Sequence, residues 1–383
     1  MYQVCNKMKS PFVFGKVAVG GQFMDREEET KLLSDLFCNL TNSVIISPRR
    51  WGKSSLVRKA GEVAVERNRQ LKICYLDVFN VRTEEEFYEK LAAEVIKATS
   101  GKWEDIISVA GKYLSALVPV FSVGDGVSQG SLSFTVKPEK KDADEVLDLP
   151  QKIAQEKGLD LVICIDEFQQ LASFENADAL QAKLCSHWQL HQNVAYCLYG
   201  SRRHMMRDIF TNPQKPFYKF GQNLFLEKIR REHWPPFIQI KFQETGKSIS
   251  KEQCLQITAL VEDNPYYIQQ LSEMVWNRTA TVCPPNAVEE AFMALVDAQA
   301  GLNLTLTKTL TLSQQNLLHA IVSGEQRLTS AAVMERYGLK NSLTVQRARK
   351  ALEQLDIIDD FGKVLTMEDP VYAWWLKNVY FQW

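Results

Sequence analysis

The sequence predicts an α/β protein in which a parallel sheet flanked by helices is followed by a helical lid and a C-terminal winged helix. Two short apolar runs, at 44–46 and 161–165, carry this prediction, and polar residues follow each of them at once. Nearly unbroken apolar runs are typical of strands that a parallel sheet buries on both faces. From residue 229 onward the apolar spacing is helical, and short β-like segments return only near residue 360.

The first apolar run leads into a turn at the start of a helical pattern. The turn comprises Ser47, Pro48, Arg49, Arg50, Trp51, Gly52, Lys53, Ser54 and Ser55. It follows the P-loop pattern G-x-x-x-x-G-K-[ST], with Ser47 in place of the first glycine. If Ser47 needed a positive φ, it would cost about 1 kcal/mol that glycine avoids.

In a P-loop, backbone N–H groups and the positive end of the following helix bind phosphate oxygens. Gly52 would allow the backbone to approach closely, Lys53 would reach the β- and γ-phosphates, and Ser54 would ligate Mg²⁺. The alternative interpretation is an ordinary strand-to-helix turn with a surface lysine.

The second apolar run ends in two adjacent carboxylates, Asp166 and Glu167. In an open α/β sheet, ligands bind at the carboxyl ends of the strands. We therefore predict that Asp166 binds Mg²⁺ through its water shell and that Glu167 orients or deprotonates the attacking water. The alternative is that Asp166 only caps the next helix.

A third predicted strand, at 194–200, is followed by Ser201. A polar residue at this position, between the two motifs, could contact a γ-phosphate. We predict Ser201 as a sensor with a catalytic role, and leave open that it is the N-cap of the next helix.

Composition sets limits on the class of protein. A chain of 383 residues suggests two or three domains, and a net charge of −1 gives no overall attraction to nucleic acid or anionic lipid. The eight cysteines include no C-x-x-C pair, and no apolar run reaches membrane-spanning length. Together with the lack of a signal-peptide core, these features predict a cytoplasmic protein with no membrane segment.

We predict three domains. Residues 1–228 form the P-loop ATPase core, 229–300 the helical lid and 301–383 the winged-helix domain. Within the core, 101–141 reads as a hairpin insertion, with strands at 118–123 and 131–136 around Gly124-Asp125-Gly126. Two interpretations stay open for this hairpin: a lid or protein contact, or a hairpin packed on its own domain.

The winged helix is predicted from helices at 313–322, 329–337 and 342–355, followed by short β segments around Gly362. Its recognition helix carries Arg347, Arg349 and Lys350. The apolar residues of this helix are predicted to lie in the core of the domain: Leu343, Val345, Ala348, Leu352 and Leu355. The domain holds nine basic and eight acidic residues. Its net charge of +1 gives only weak electrostatic attraction to DNA, whose binding depends on several phosphate contacts.

His187 and His191 are spaced i, i+4, which is compatible with a metal site. No third ligand is evident nearby in the sequence. A helix is predicted at 178–190, and we interpret both histidines as exposed helix residues.

In combination, these segments resemble the archaeal-type ATPases of the STAND branch of AAA+ P-loop proteins. The matching segments are SPRRWGKSSL, ICIDEFQQL, LYGSRRHMM, KPFYKFG, DNPYYIQQL and EDPVYAWWL. The resemblance implies an ATPase core, a helical lid and a C-terminal winged helix. It also implies that Pro265 is the lid proline that reports the nucleotide state to the adenine side.

The chain departs from this family at the position before Pro-Phe-Tyr, where members often carry an arginine. Lys215 stands there, and a lysine lacks the planar fork that would stabilise a transition state. The candidates to replace that arginine are Arg49, Arg50, Arg202 and Arg203.

The sequence thus predicts a Mg²⁺-dependent, ATP-binding and ATP-hydrolysing enzyme whose nucleotide state controls the lid and the winged helix, with ATP or ADP as ligand. Turnover of the isolated chain is expected to be low, because a neighbouring molecule can supply a missing arginine. The alternative is a nucleotide-gated switch with little turnover. A protein partner, a homo-oligomer and, with weak support, DNA are the possible partners.

Overall fold

The computed structural model describes residues 9–16, 24, 26–100, 117–123, 130–136, 143–360 and 365–382. The chain forms two compact units, one made of Arg26–Glu227 and the other of Met1–Asp25 together with Lys228–Trp383. We call them the α/β unit and the helical unit.

The α/β unit contains a five-stranded parallel sheet. Its strands are β1 (Ser43–Ile46), β2 (Leu71–Asp77), β5 (Asp160–Asp166), β6 (Val194–Gly200) and β7 (Gln222–Phe225). Their order across the sheet is β2-β5-β6-β1-β7, and each pairs in parallel with its neighbours. Every residue of β1 and β6 is buried, as the unbroken apolar runs predict.

Helices cover this sheet. They are α1 (Glu27–Cys38), α2 (Lys53–Arg67), α3 (Glu84–Thr99), α4 (Ala143–Lys157), α5 (Ala177–Trp188) and α6 (Arg203–Thr211), with a 3₁₀ helix at Phe168–Ser173. The core between the helices and the sheet is aliphatic and aromatic, and the rings of Phe168, Trp188 and Phe217 lie close together within it.

The predicted hairpin is present as an antiparallel pair, β3 (Leu117–Val123) and β4 (Gly130–Val136). Its predicted turn, Gly124-Asp125-Gly126, lies outside the described residues. Strand β4 runs beside α3, which favours the interpretation of a hairpin packed on its own domain.

The register of the sheet brings the functional segments to one edge. Ile46, the last residue of β1, lies opposite Gly200 of β6 and Phe225 of β7. Strand β6 separates β1 from β5, so the turn after β6 lies between the P-loop and the end of β5. Carboxyl ends of parallel strands meet at one edge, where open α/β sheets bind ligands.

The helical unit contains α7 (Trp234–Gln243), α8 (Lys251–Leu260), α9 (Pro265–Arg278) and α10 (Ala287–Thr309), after a 3₁₀ turn at Arg231–His233. Part of the N-terminal segment packs here, since the ring of Phe12 lies 5.8 Å from that of Phe242. Helix α10 runs without a break across residue 300, the predicted boundary between lid and winged helix. That boundary stays a prediction.

The winged helix is built from three helices and a two-stranded wing. Its elements are α11 (Leu312–Val322), α12 (Ala331–Arg336), α13 (Ser342–Gln354), β8 (Ile358–Asp359) and β9 (Thr366–Met367), followed by α14 (Pro370–Trp375) and a π-helical turn at Leu376–Tyr380. The strands β8 and β9 pair antiparallel. The predicted centre of the wing, Gly362, lies outside the described residues.

Two residues of the predicted recognition helix, 342–355, were wrongly predicted to lie in the core. Val345, Ala348 and Leu352 are buried, but Leu343 and Leu355 are 52 % and 53 % exposed. Leu343 precedes Val345 by two positions, which places it on nearly the opposite face of a helix with 3.6 residues per turn. Leu355 lies beyond the last helical residue.

Within the described part of the chain, no helix is both long and apolar enough to span a bilayer. The cysteines at 38, 74, 164, 185, 197, 254 and 283 are free thiols, and six of these seven are buried.

Candidate functional site

The turn between β1 and α2 has an unusual backbone. Arg50 and Gly52 have positive φ values of 65° and 88°. Ser47 is not among the residues with positive φ, so the cost expected for a serine there does not arise. Ser47 is instead fully buried, and its Oγ donates to the carbonyl oxygen of Pro48 at 3.2 Å. The loop is therefore held from inside by its own serine.

Lys53 is the first residue of α2 and is 6 % exposed. Its Nζ donates to the carbonyl oxygens of Ser47 (3.3 Å) and Pro48 (2.9 Å). An ammonium group has three protons and binds a phosphate as a point charge. The geometry excludes the alternative of a surface lysine at an ordinary turn.

The two sequence motifs meet through Ser54 and Asp166. The Oγ of Ser54 donates to Oδ2 of Asp166 at 2.7 Å, across 112 residues of sequence. Burial raises the pKa of Asp166 to about 6 by disfavouring the charged form, while the hydrogen bond from Ser54 acts in the opposite direction. The charge of Glu167 raises this pKa further, and that of Lys53 lowers it. Two oxygen groups side by side form the kind of ligand set that Mg²⁺ prefers.

Glu167 is held in a strained backbone conformation, with φ 56° and ψ 37°. A residue other than glycine in this region costs on the order of 1–3 kcal/mol, and such residues cluster at functional sites. Its Oε2 accepts hydrogen bonds from the Oγ of Ser201 at 2.9 Å and from its backbone N–H at 3.4 Å. The Nε2 of Gln169 donates to the same oxygen.

Ser201 thus contacts the carboxylate predicted to be catalytic. The alternative that Ser201 caps the next helix is wrong, because α6 begins at Arg203 and its N-cap is Arg202. The alternative that the Asp166 side chain caps a helix also fails. The following 3₁₀ helix has Glu167 as its N-cap, and no side chain caps it.

Gly200 makes room for Gln169. A Cβ on Gly200 would lie 1.8 Å from Oε1 of Gln169 and 2.9 Å from Sδ of Met206. Gln169 is 4 % exposed, so it has little space into which to move. Neither residue was identified from the sequence, although both are near predicted site residues. Gln169 lies two residues after Glu167, and Gly200 directly precedes Ser201.

The candidate arginines occupy different environments. Arg49, Arg50 and Arg202 are exposed. Arg203 is buried, and its guanidinium lies 5.6 Å from the ring centroid of Trp51, in the P-loop. Lys215 pairs with Asp178 at 2.6 Å, and this hydrogen bond raises its pKa.

Pro265 belongs to the helical unit, where it is the first residue of α9. The Asn264 side chain caps this helix by accepting from the N–H groups of Tyr266 and Tyr267. Glu262 and Asp263 have positive φ values of 49° and 57°, a backbone region that glycine adopts at lower cost. The role of Pro265 at the adenine stays a prediction.

The prediction that both histidines are exposed helix residues is wrong. Helix α5 ends at Trp188, and the side chain of His191 is only 3 % exposed, with Nδ1 2.9 Å from the Tyr196 hydroxyl. Burial lowers the pKa of His191 to about 4. His187 pairs with Asp148 at 2.7 Å. Helical spacing could not reveal a chain that turns back onto β6 after Trp188.

Across the described residues, no group of three or more His, Cys, Asp or Glu side chains is arranged to hold a metal ion. The histidine pair is therefore not brought into any such group.

Comparison with known families gives two matches. Residues 23–271 match the model of an ATPase domain found predominantly in Archaea, and residues 304–378 match a probable winged helix domain. The first match alone covers well over half of the chain. A search of curated protein sequences gives no match to this chain.

Two solved structures are similar over nearly the whole chain. The Walker-type ATPase of Pyrococcus abyssi superposes with a TM-score of 0.66 at 17 % identity, over 95 % of this chain and 98 % of that one. The ORC2 protein of Aeropyrum pernix, solved in ADPNP–ADP complexes, gives a TM-score of 0.60 at 14 % identity, over 95 % and 94 %. At these identities the likeness establishes the fold: a P-loop ATPase sheet with helices, and a C-terminal winged helix.

Proposed function

This chain belongs to the family of ATPase domains found predominantly in Archaea, and on that premise we propose that it binds ATP with Mg²⁺ and hydrolyses it at the carboxyl edge of its sheet. The observation that carries this proposal is the hydrogen bond between Ser54 and Asp166. It joins the two predicted motifs into one site, where a chance glycine–lysine–serine turn would have no acidic partner.

The phosphates would be bound by the turn from Ser47 to Ser55. Its amide groups and the N-terminus of the 15-residue helix α2 supply N–H donors and the positive end of a dipole. Lys53 adds a charge that already lies against the loop. The similarity to the A. pernix ORC2 protein, which was solved with ADPNP and ADP, supports a nucleotide as the ligand.

Mg²⁺ would be held by the hydroxyl of Ser54 and, through water, by the carboxylate of Asp166. A magnesium ion bound to a nucleotide neutralises charge that develops on the phosphate oxygens. Asp166 needs its charged form for this role, and its raised pKa of about 6 still leaves it mainly ionised at neutral pH.

Glu167 is the residue we assign to the attacking water. Its carboxylate would accept a hydrogen bond from that water and hold it in line with the terminal phosphate. Ser201 and Gln169 hold Oε2 of this carboxylate, which leaves Oε1 as the oxygen that would accept from the water.

The lysine at the family's arginine position, Lys215, pairs with Asp178 and lacks the planar fork of an arginine, which favours a second candidate, a nucleotide-gated switch with little turnover. In this form the protein would bind ADP or ATP at the same residues, and its nucleotide state would control the lid and the winged helix. Hydrolysis would occur about once in each conformational cycle.

The decisive experiment compares Glu167→Gln with the unmodified chain. We expect the variant to bind MgATP with unchanged affinity in calorimetry and to release phosphate slower by about 10²–10⁴-fold, the usual contribution of a positioned base. Glu175→Gln is the matched control, since it makes the same change at an exposed residue and should leave both values unchanged.

Steady-state phosphate release then separates the two candidates. Sustained turnover supports the ATPase, and a single turnover followed by retained ADP supports the switch. Normal hydrolysis by Glu167→Gln would refute the assignment of the base, and no uptake of ATP or ADP by the unmodified chain would refute the proposal as a whole.

A further inference from the structure

A buried arginine, Arg26, lies next to the phosphate-binding loop. It is 3 % exposed, precedes α1, and has a left-handed backbone with φ 72° and ψ 33°. Its Nη1 donates to Oε1 of Glu29 at 2.8 Å, and that glutamate is on the first turn of α1. A guanidinium so far from water needs such partners, because burying an unpaired charge is costly. Glu29 therefore orients the side chain.

The other end of the guanidinium contacts the P-loop. Its Nη2 donates to the carbonyl oxygen of Trp51 at 3.3 Å. In a planar trans peptide, the C=O of one residue and the N–H of the next point in opposite directions. Holding the carbonyl of Trp51 toward Arg26 therefore turns the N–H of Gly52 away from it. Gly52 is the glycine whose amide belongs to the predicted phosphate cradle.

The same nitrogen also binds the carbonyl oxygen of Glu227, at 2.9 Å. Arg26 and Glu227 are the first and last residues of the α/β unit. The chain crosses from one unit to the other at these two points only, and we call them the chain passages. One guanidinium therefore links both passages to the P-loop.

We propose that Arg26 is a positioning residue for nucleotide binding: it sets the Trp51–Gly52 peptide for the phosphates and ties that peptide to both chain passages. This inference rests on the proposed function and extends it to the route by which a bound nucleotide is sensed. A planar guanidinium presents donors on separate nitrogens in fixed directions to two carbonyls and a carboxylate, whereas a lysine has a single nitrogen whose donors rotate.

Arg67 supplies a matched comparison. It also anchors α1, through Ser34 at 3.1 Å and Asp35 at 2.6 Å, but its side chain is 49 % exposed and contacts neither the P-loop nor Glu227. A role limited to holding α1 would make the two arginines equivalent in binding assays.

The test measures displacement of a fluorescent ADP analogue by ADP and by adenosine, for Arg26→Lys, Glu29→Gln and Arg67→Lys. Loss of a hydrogen bond from a charged group should weaken ADP binding by Arg26→Lys about tenfold. Adenosine has no phosphates, so its affinity should stay within about twofold. Glu29→Gln should weaken ADP binding less, and Arg67→Lys should change neither ligand.

Hydrogen–deuterium exchange at residues 226–229 gives a second readout. MgADP should protect this segment in the unmodified protein and in Arg67→Lys, and should not protect it in Arg26→Lys. If Arg26→Lys does not fold, Glu29→Gln gives the same test at a half-buried partner. Equal ADP affinity in folded Arg26→Lys, or an equal loss for adenosine, would overturn the inference. If the unmodified chain binds no nucleotide, the proposed function itself fails.

Discussion

The carboxyl edge of the sheet and helix α13 of the winged helix both collect charged and polar side chains, but they pair them differently. At the sheet edge, partners come from distant segments, as with Ser54 and Asp166 or Glu167 and Ser201. On α13, Arg349 pairs with Glu353, one turn away on the same helix, and with Asp360 just beyond it.

The difference teaches what separates a built site from a charged surface. Pairs between distant segments hold their groups in fixed directions, but forming them removes water from those groups at a cost in free energy. Such pairs are found mainly where the groups have a function. Each local ion pair on an exposed helix contributes little to the free energy of unfolding, and its two charges neutralise each other. The sheet edge therefore has the arrangement of a built site, whereas on α13 local pairing takes up the charge of Arg349.

The largest expected effect in this comparison comes from Asp166→Asn. Removal of the carboxylate should weaken the Mg²⁺-dependent part of ATP affinity by about 100-fold, as loss of an outer-shell partner does at metal sites. Calorimetry with and without Mg²⁺ measures this part directly. Unchanged affinity would mean that the pairing with Ser54 does not mark a metal site.

The same residue gives a pH dependence. Because the pKa of Asp166 is about 6 in the folded chain, Mg²⁺-dependent affinity should fall as pH drops below 6, and Asp166→Asn should lose this dependence. Stability has the opposite sign. A folded-state pKa above the unfolded value of 3.8 means that protonation between pH 6 and 4 stabilises the nucleotide-free fold. The variant should therefore unfold at a higher temperature at pH 7.

The sequence could predict the sheet edge because strand ends and their polar residues are local patterns. The P-loop, the Asp166–Glu167 strand and the strand before Ser201 are all present, with strand bounds within a residue or two. Contacts between side chains far apart in sequence could not be predicted. Arg26 reaching Trp51 and Glu227, and Gln169 filling the space over Gly200, depend on how loops return to the sheet. The burial of His191 was missed for the same reason.

A smaller effect is expected where the sheet edge depends on packing alone. Gly200→Ala would force Gln169 away from Glu167, because the new Cβ would overlap its amide. We expect a stability loss of about 1–3 kcal/mol from overpacking. Turnover should fall about tenfold, because the carboxylate is misplaced, with ATP affinity nearly unchanged.

Gly301→Ala is the matched control in the helical unit. Gly301 lies within α10, and a Cβ there meets nothing within 4 Å. Alanine should stabilise this helix by about 0.5–1 kcal/mol and leave turnover unchanged. Thermal unfolding and phosphate release of the two variants, measured together, test whether the effect is local to the site. Equal activity in both would show that Gln169 does not position Glu167.

The smallest effect is expected for DNA at the winged helix. Arg347 and Lys350 are exposed on α13, but Arg349 already pairs with two carboxylates and the domain carries a net charge of only +1. Affinity for DNA depends on several phosphate contacts and falls steeply with salt. In a shift assay with duplex DNA we expect no complex at about 150 mM salt and, at most, weak binding at about 50 mM.

Variants of the basic residues on α13 test this expectation about DNA binding. If weak binding occurs at low salt, replacing Arg347 and Lys350 together by alanine should lower the salt slope by about 2, whereas Arg349→Ala should leave it nearly unchanged. A complex that persists at physiological salt and is lost in the double variant would contradict the comparison. It would mean that two exposed charges on α13, with the Asn341-capped start of the helix, suffice to bind DNA despite the local pairing of Arg349.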